Sequence, residues 1–436
     1  MRLPLNFLAR AAIAVPLAGL PACGDSASPA ADVSDSNDTA QAEVEQEVEE
    51  DVAPPRECES AADCADKADR PLCNITSGQC EAPPAGHLIG IGDGSAASVN
   101  LVELYKPDRA VESTDLAFHP ERDELWVLNR RFEVNGLCSQ SNPSSARCRS
   151  LGSTTTIIFE PGKPTQTEQT LEDQNSWHFM RRAPAIAMGA LDTFATCSES
   201  HTGNFEDDPT PYNGPSLWSA DLDIYAQPSG GNGSHLDMLH ETPNCMGIAH
   251  ERDNIYWLFN GRFGSIDMVN FNEDHGPGND DHSDGEVWRY VHGQLTRLEN
   301  VPSHLVFNPD DFHLYIVDSG ARRIVKLDTT TGEPGGRLQE QYEPLRSSGL
   351  MLEAALSVVV DDGVLQEPSG LALANGVLYV SDHKTSKIHA YSLTGEPLRT
   401  LDTGLPEGTL AGLEVRGDHL YFSDMLQGRV FRIDWR

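Results

Sequence analysis

The strongest constraint on this chain is a strand pair that recurs six times across residues 115–424. Each copy has an apolar strand, a turn, a second strand with an aromatic residue near its start, and a small or acidic residue at its end. The first three pairs are Asp115–Phe118 with Leu125–Leu128, Ala185–Met188 with Thr193–Thr196, and Gly247–Ala249 with Ile255–Leu258. The last three are His304–Phe307 with Leu314–Asp318, Gly370–Leu373 with Leu378–Asp382, and Gly412–Val415 with Leu420–Asp424. Three copies run on into a third strand, at Arg323–Leu327, Lys387–Tyr391 and Arg429–Ile433. A sheet of three or four strands repeated radially is a propeller blade, so the expected fold is all-β with six blades. The final copy has only three strands before Arg436, while Ser98–Tyr105 alternates like a strand ahead of the first copy. Donating that strand to the last blade would cover an exposed edge and join the two ends of the ring.

Two copies open with Pro302-Ser303-His304 and Pro368-Ser369-Gly370, and each continues into Leu-Tyr-hydrophobic-x-Asp and an Arg/Lys-Ile strand. This pattern resembles NHL repeats, and Leu420–Ile433 is similar to the related YWTD propeller repeat. The resemblance covers residues 98–436 and is clearest in the last three copies. It implies a six-bladed propeller over residues 86–436 whose loops carry function.

The start of the chain reads as an export signal. Arg2 and Arg10 flank an apolar stretch, Ala11–Leu20, too short to span a bilayer as a mature helix. It ends in Leu20-Pro21-Ala22-Cys23, which resembles the bacterial lipobox; the alternative is an ordinary signal cleaved near Ala22. The resemblance implies a signal peptide at 1–22, acylation of Cys23 and, with Gly24 following it, sorting to the outer membrane. From Gly24 to Glu57 eleven acidic residues face only Arg56, giving 1 − 11 = −10 of the whole chain's −36. With almost no large apolar residue, residues 23–57 are expected to be a lipid anchor and a solvated acidic tether. The overall charge argues against nucleic acid or an anionic lipid surface as partner, so the membrane is expected to be met through the lipid alone.

Setting Cys23 aside leaves eight cysteines, an even number that suits an oxidising compartment. Cys58, Cys64, Cys73 and Cys80 lie in a segment, 58–82, with too little apolar content for a core. No C-x-x-C occurs there, which favours two disulfides over zinc, with first-to-third and second-to-fourth as the expected pairing. The segment resembles short cysteine-rich modules that follow the linker in myxobacterial-type lipoproteins. Cys138 and Cys148 are expected to close a local loop, and Cys197 and Cys245 to pair across adjacent blades.

The second strands begin at Leu125, Thr193, Ile255, Leu314, Leu378 and Leu420, so all intervals but the last leave room for insertions. The densest ligand chemistry runs from His235 to Asp284: His235, Asp237, Met238, His240, Cys245, Met246 and His250, then His275, Asp280, Asp281, His282 and Asp284. Imidazoles suit zinc, copper or iron, and carboxylates suit calcium or manganese. The loop is no EF-hand: with Gly285 at the turn position, Val291 stands where the bidentate Glu belongs. The candidate metal ligands are therefore His235, His240, His275, Asp280, Asp281, His282 and Asp284, together with His304 at the start of an inner strand. His178, His201, Asp221 and Asp223 are weaker candidates for the same mouth. His304 resembles the zinc histidines of peptide-amidating-lyase propellers, but the equivalent positions hold Gly370 and Gly412.

There is no G-x-S-x-G motif and no phosphate-binding glycine loop. The leading expectation is an exported, monomeric binding or scaffold module for a protein, glycan or small ligand, with a divalent cation (zinc, calcium or copper). The second is a metal-dependent lyase or hydrolase in which His235, His240, His275 or His282 hold a metal that polarises substrate or activates water, with an Asp as base. Copper handling or electron transfer through His and Met is a third.

Overall fold

The computed structural model describes residues 55–67, 69–131, 134–228 and 231–435, and the expected signal peptide, Cys23 and most of the acidic tether lie outside them. Two short strands, β1 (Leu72–Asn74) and β2 (Gln79–Glu81), form a hairpin held by the disulfides Cys58–Cys73 and Cys64–Cys80. Cysteines supply most of what this module buries.

The rest is a six-bladed β-propeller. Strand β3 (Val99–Tyr105) precedes blade 1, which comprises β4 (Val111–Phe118), β5 (Glu124–Arg131), β6 (Thr154–Phe159) and β7 (Thr167–Leu171). Blade 2 comprises β8 (Ile186–Met188), β9 (Thr193–Thr196), β10 (Ser216–Ser219) and β11 (His235–Met238). Blade 3 contains β12 (Cys245–Arg252), β13 (Ile255–Asn260), β14 (Ser265–Asn270) and β15 (Glu286–Tyr290). Blade 4 contains β16 (Leu305–Asn308), β17 (His313–Asp318) and β18 (Arg323–Asp328). An excursion with β19 (Glu333–Pro334) and β20 (Ser347–Leu352) follows before β21 (Leu356–Val360) completes it. Blade 5 is β22 (Pro368–Ala374), β23 (Val377–Asp382), β24 (Lys387–Ser392) and β25 (Pro397–Asp402). Blade 6 is β26 (Leu410–Arg416), β27 (His419–Asp424) and β28 (Arg429–Trp435), with β3 as its fourth strand. β3 pairs antiparallel with β28, Leu101 opposite Ile433, so the two ends of the propeller close the ring as the strand count suggested.

Both faces of each blade pack on neighbours, which is why the second strands read as unbroken apolar runs rather than alternating ones. Leu125, Trp126, Val127 and Leu128 are all fully buried, whereas the outermost strand β7 is largely exposed. Six apolar clusters correspond to the six blade-to-blade seams. At the seam of blades 1 and 2, Trp126 packs on Phe194 and Tyr225 with ring centroids 5.0 and 5.6 Å apart. Each such side chain contributes about 1.5–3 kcal/mol through burial.

The acidic residue ending several copies is structural. Asp318 accepts from Thr296 N–H and Arg323 Nε–H, Asp382 from Gln366 N–H and Thr385 N–H, and Asp424 from Gln427 N–H and Arg429 Nε–H. Fully buried, these carboxylates are satisfied by backbone donors of the adjoining loop and, in two blades, by the arginine opening the third strand. Gly412 marks where inner strands crowd: a Cβ there would stand 2.7 Å from the Asp115 backbone of the next blade.

Two features depart from a simple ring. The Cys197–Cys245 bond ties blade 2 to blade 3. The blade 4 excursion crosses to blade 3, where β20 pairs parallel with β15 and makes that sheet six-stranded. Among the described residues no helix is long and apolar enough to cross a membrane.

Candidate functional site

The insertions singled out by their histidines meet at the outer edge of blade 2. Residues 274–285, between β14 and β15, lie along β11: His275 N–H donates to the Leu236 carbonyl (3.2 Å) and Gly278 N–H to that of His235 (2.8 Å). This cover buries all four residues of an edge strand that would otherwise be exposed. The blade 4 excursion approaches the same place and brings Glu343.

Hydrogen bonds set the imidazole tautomers. His235 Nδ1 lies 2.9 Å from the Asn232 carbonyl, and the ring stacks on Phe179 at 3.9 Å. His240 Nδ1 and His282 Nδ1 both approach Glu343 Oε2, at 2.8 and 2.6 Å. The other Glu343 oxygen accepts from His240 N–H, and Tyr212 stacks on the His240 ring at 3.7 Å. With each Nδ1–H donated to an oxygen, the lone pair sits on Nε2, and the Nε2 atoms of His235, His240 and His282 are buried without a hydrogen-bond partner. Asp280 Oδ2 stands between two of them, 3.7 Å from His235 Nε2 and 4.0 Å from His282 Nε2. Ligand atoms of His240, His282 and Glu343 already lie within 4.8 Å of one another, and the two Asp280 distances exceed the spacing of about 3.3 Å between donors around a tetrahedral zinc.

Burial pushes the Glu343 carboxyl up, but the hydrogen bonds from His240 and His282 outweigh it and hold the group at about 2. Burial also pulls His240 and His235 below the usual imidazole range. His282, nearer solvent, goes the other way because Glu343 outweighs its burial. His178 abuts the cluster and is pulled down to about 4 by burial and by His240.

A second group adjoins the first. Ligand atoms of Asp237, His275 and Asp284 lie within 4.8 Å of one another, and Asp237 Oδ2 is buried and unpartnered. Burial raises Asp237 to about 7. The remaining candidates lie elsewhere. Asp281 accepts from Ser283 N–H and Oγ–H at the surface, and Asp221 accepts from Asp223 N–H in a turn. His201 Nε2 is 2.9 Å from the Pro209 carbonyl, and the Met238 and Met246 side chains belong to the seams between blades. His304 lies in the central channel.

That channel holds a cavity, a funnel of about 810 Å³ opening on the face that carries the turns between first and second strands. Its floor is made by Asp115, Glu414 and His304 from blades 1, 6 and 4, and its wall includes Phe118, Ile186, Met188, Ile248, Leu305 and Phe307. Asp115 accepts from the backbone N–H groups of Leu116 (2.8 Å) and Ile186 (2.9 Å), and Glu414 from Val415 N–H (3.1 Å). His304 has Nε2 3.2 Å from the Pro184 carbonyl and Nδ1 3.4 Å from Asp115. Burial pushes both carboxyls up to about 8 and His304 down to about 4.

Toward the opposite face lies a buried ionic cluster. Arg130 reaches Glu199 (2.7 Å), Glu112 (3.0 Å) and the Asn300 carbonyl (3.1 Å), while Asn300 N–H donates to Glu199 (2.7 Å). Glu343, Glu414, Arg130 and Glu199 had no local sequence signal, since each acts with residues from another blade or insertion.

No protein-family model and no curated protein matches this chain. Solved structures share the propeller architecture at low identity. A chain of a nidogen–laminin complex is 15% identical with TM-score 0.44, over 71% of this chain and 85% of that one. A luciferin-regenerating enzyme is 11% identical with TM-score 0.46, over 77% and 95%. An auxiliary nutrient binding protein from Bacteroides ovatus is 11% identical with TM-score 0.46, over 79% and 75%. At these values the propeller assignment rests on the strand pairing itself.

Proposed function

We propose that this protein is an exported, lipid-anchored binding module. In this reading the propeller presents its central funnel to a small ligand, and a divalent transition metal on the rim cluster holds the blade 2 edge to its covering loops. One observation carries the choice between binding module and metalloenzyme: none of His235, His240, His282 and Asp280 lines the funnel. A catalytic metal faces the cavity that receives substrate and keeps an open coordination position there. The crevice beside His178 and His240 has no room for a water molecule.

The ligand set we assign is His235 Nε2, His282 Nε2 and Asp280, with His240 Nε2 as a fourth donor. Glu343 orients His240 and His282 from behind, as carboxylates do for metal-bound imidazoles. Nitrogen-rich donors suit zinc or copper, whereas the neighbouring Asp237, His275 and Asp284 group, richer in oxygen, suits a harder ion. Pairing of all eight cysteines other than Cys23 supports an oxidising compartment.

Metal analysis of the full chain, purified without an affinity tag, tests the rim assignment. We expect about one equivalent of zinc or copper, lost in the double variant His235→Ala/His282→Ala. A metal-free parent protein that takes up none on titration refutes the metal assignment. Replacing Cys23 by Ala should release the protein from the membrane fraction, and retention there refutes the anchor.

A further inference from the structure

The floor of the funnel has a charge pattern that the binding-module reading leaves unassigned. The cavity is lined by four acidic residues, Asp115, Glu121, Asp192 and Glu414, and by no lysine or arginine, and of the four Asp192 is already paired with Arg122 from outside the lining. Two of the four sit at the bottom, and the wall above them is apolar. Asp115, from the first blade, and Glu414, from the sixth, come together because inner strands β4 and β26 close the ring side by side. One Glu414 oxygen accepts from Val415 N–H, and the other has no hydrogen-bond partner among the described residues. A buried carboxyl (Asp115) beside a half-buried one (Glu414) at the end of an apolar funnel is unfavourable as a pair of anions unless a positive group joins them.

We infer that the funnel recognises an organic ammonium ion, its charged nitrogen seated between Asp115 and Glu414 and its apolar body held by the wall around Phe118, Ile248 and Phe307. This inference rests on the funnel being the ligand site. A primary ammonium has three N–H donors and no acceptor, and it meets a floor that offers carboxylate oxygens and no free donor. His304 cannot compete as a cation, because its nitrogens face the Pro184 carbonyl and Asp115 and burial keeps the ring neutral. In the empty funnel both carboxyls are pushed up to about 8 by burial, and a cation between them would relieve that penalty. A hard metal ion is disfavoured. Calcium needs six to eight oxygens, whereas the two carboxyl groups of the floor supply at most four.

The test is calorimetric titration of the full chain with three probes of matched shape: 4-phenylbutylamine, 4-phenylbutan-1-ol and 4-phenylbutyrate. We expect the amine to bind at least tenfold more tightly than the alcohol and the carboxylate to bind more weakly than either. In the Glu414→Gln variant the preference for amine over alcohol should fall below threefold. Should that variant fail to fold, the ranking of probes on the parent protein still decides. Equal affinity for amine and alcohol overturns the ammonium inference while leaving the funnel as a ligand site. No binding of any probe at millimolar concentration overturns both. Displacement of the amine by equimolar calcium overturns the inference in favour of a hard-cation site.

Discussion

Replacing Arg130 by Met tests whether the ionic cluster across the channel holds the blades together. The Arg130 and Glu199 side chains are only 4% and 2% exposed, so neither ion has water to fall back on. Removing the guanidinium leaves Glu199 with the Asn300 N–H and with Arg297, which is 3.6 Å away and partly exposed. Breaking one side of a buried pair costs about 3–5 kcal/mol, and these two residual partners place Arg130→Met near the lower end, about 3 kcal/mol. Glu199→Gln leaves Arg130 its contacts to Glu112 and the Asn300 carbonyl, so we expect about 1.5 kcal/mol. The double variant leaves no charge stranded in the buried centre, only the partly exposed Glu112 without its partner, and should cost about 2 kcal/mol rather than the sum of about 4.5, a coupling of about 2.5 kcal/mol. Urea denaturation at pH 7, followed by tryptophan fluorescence on the oxidised protein, measures all three. Additive costs, or a single Arg130→Met cost below about 1 kcal/mol, would show that the cluster is solvated and the reasoning wrong.

Three other outcomes are expected. Glu343→Gln, which removes the carboxylate behind His240 and His282, should weaken metal binding by about 10- to 100-fold in chelator competition; unchanged affinity would exclude Glu343 as the orienting group. Burial raises the Glu414 carboxyl to about 8, so between about pH 4.5 and 8 the folded state keeps a proton that the unfolded chain has released. Stability contributed by the protonated group is therefore lost as pH rises through that window, and Glu414→Gln, neutral throughout, should match the parent near pH 4 and exceed it by about 4 kcal/mol at pH 8. An unchanged difference between those pH values refutes it. Finally, a chain starting at Lys106 should aggregate where one starting at Gly86 stays monomeric in size-exclusion chromatography, because loss of β3 bares the β28 edge.

What could be read from the chain, and what could not, divides along a physical line. A blade's second strand is buried on both faces, so its composition reports its position directly: Leu314–Asp318 and Leu378–Asp382 are legible alone. The closing strand was legible for a related reason, since a ring with one strand too few at its end and a spare alternating segment at its start has one economical solution. The histidine-rich insertions drew attention by composition, and the fold does gather His235, His240, His282 and Asp280. Composition could not separate them from Asp281, which faces solvent three residues before Asp284, or from His304, which lies in the channel. Nor could it supply Glu343, 103 residues from His240, because that residue arrives on an excursion that leaves blade 4 and pairs with blade 3. Asp115 was visible only as the first residue of an apolar strand. Its significance depends on Glu414 in the sixth blade and His304 in the fourth, brought beside it by closure of the ring. In a closed radial fold, stability is written locally, blade by blade, whereas the sites form where blades or their insertions meet. Chemistry at those meeting points follows from the order in which the sheets pair, and no local pattern in this chain encodes that order.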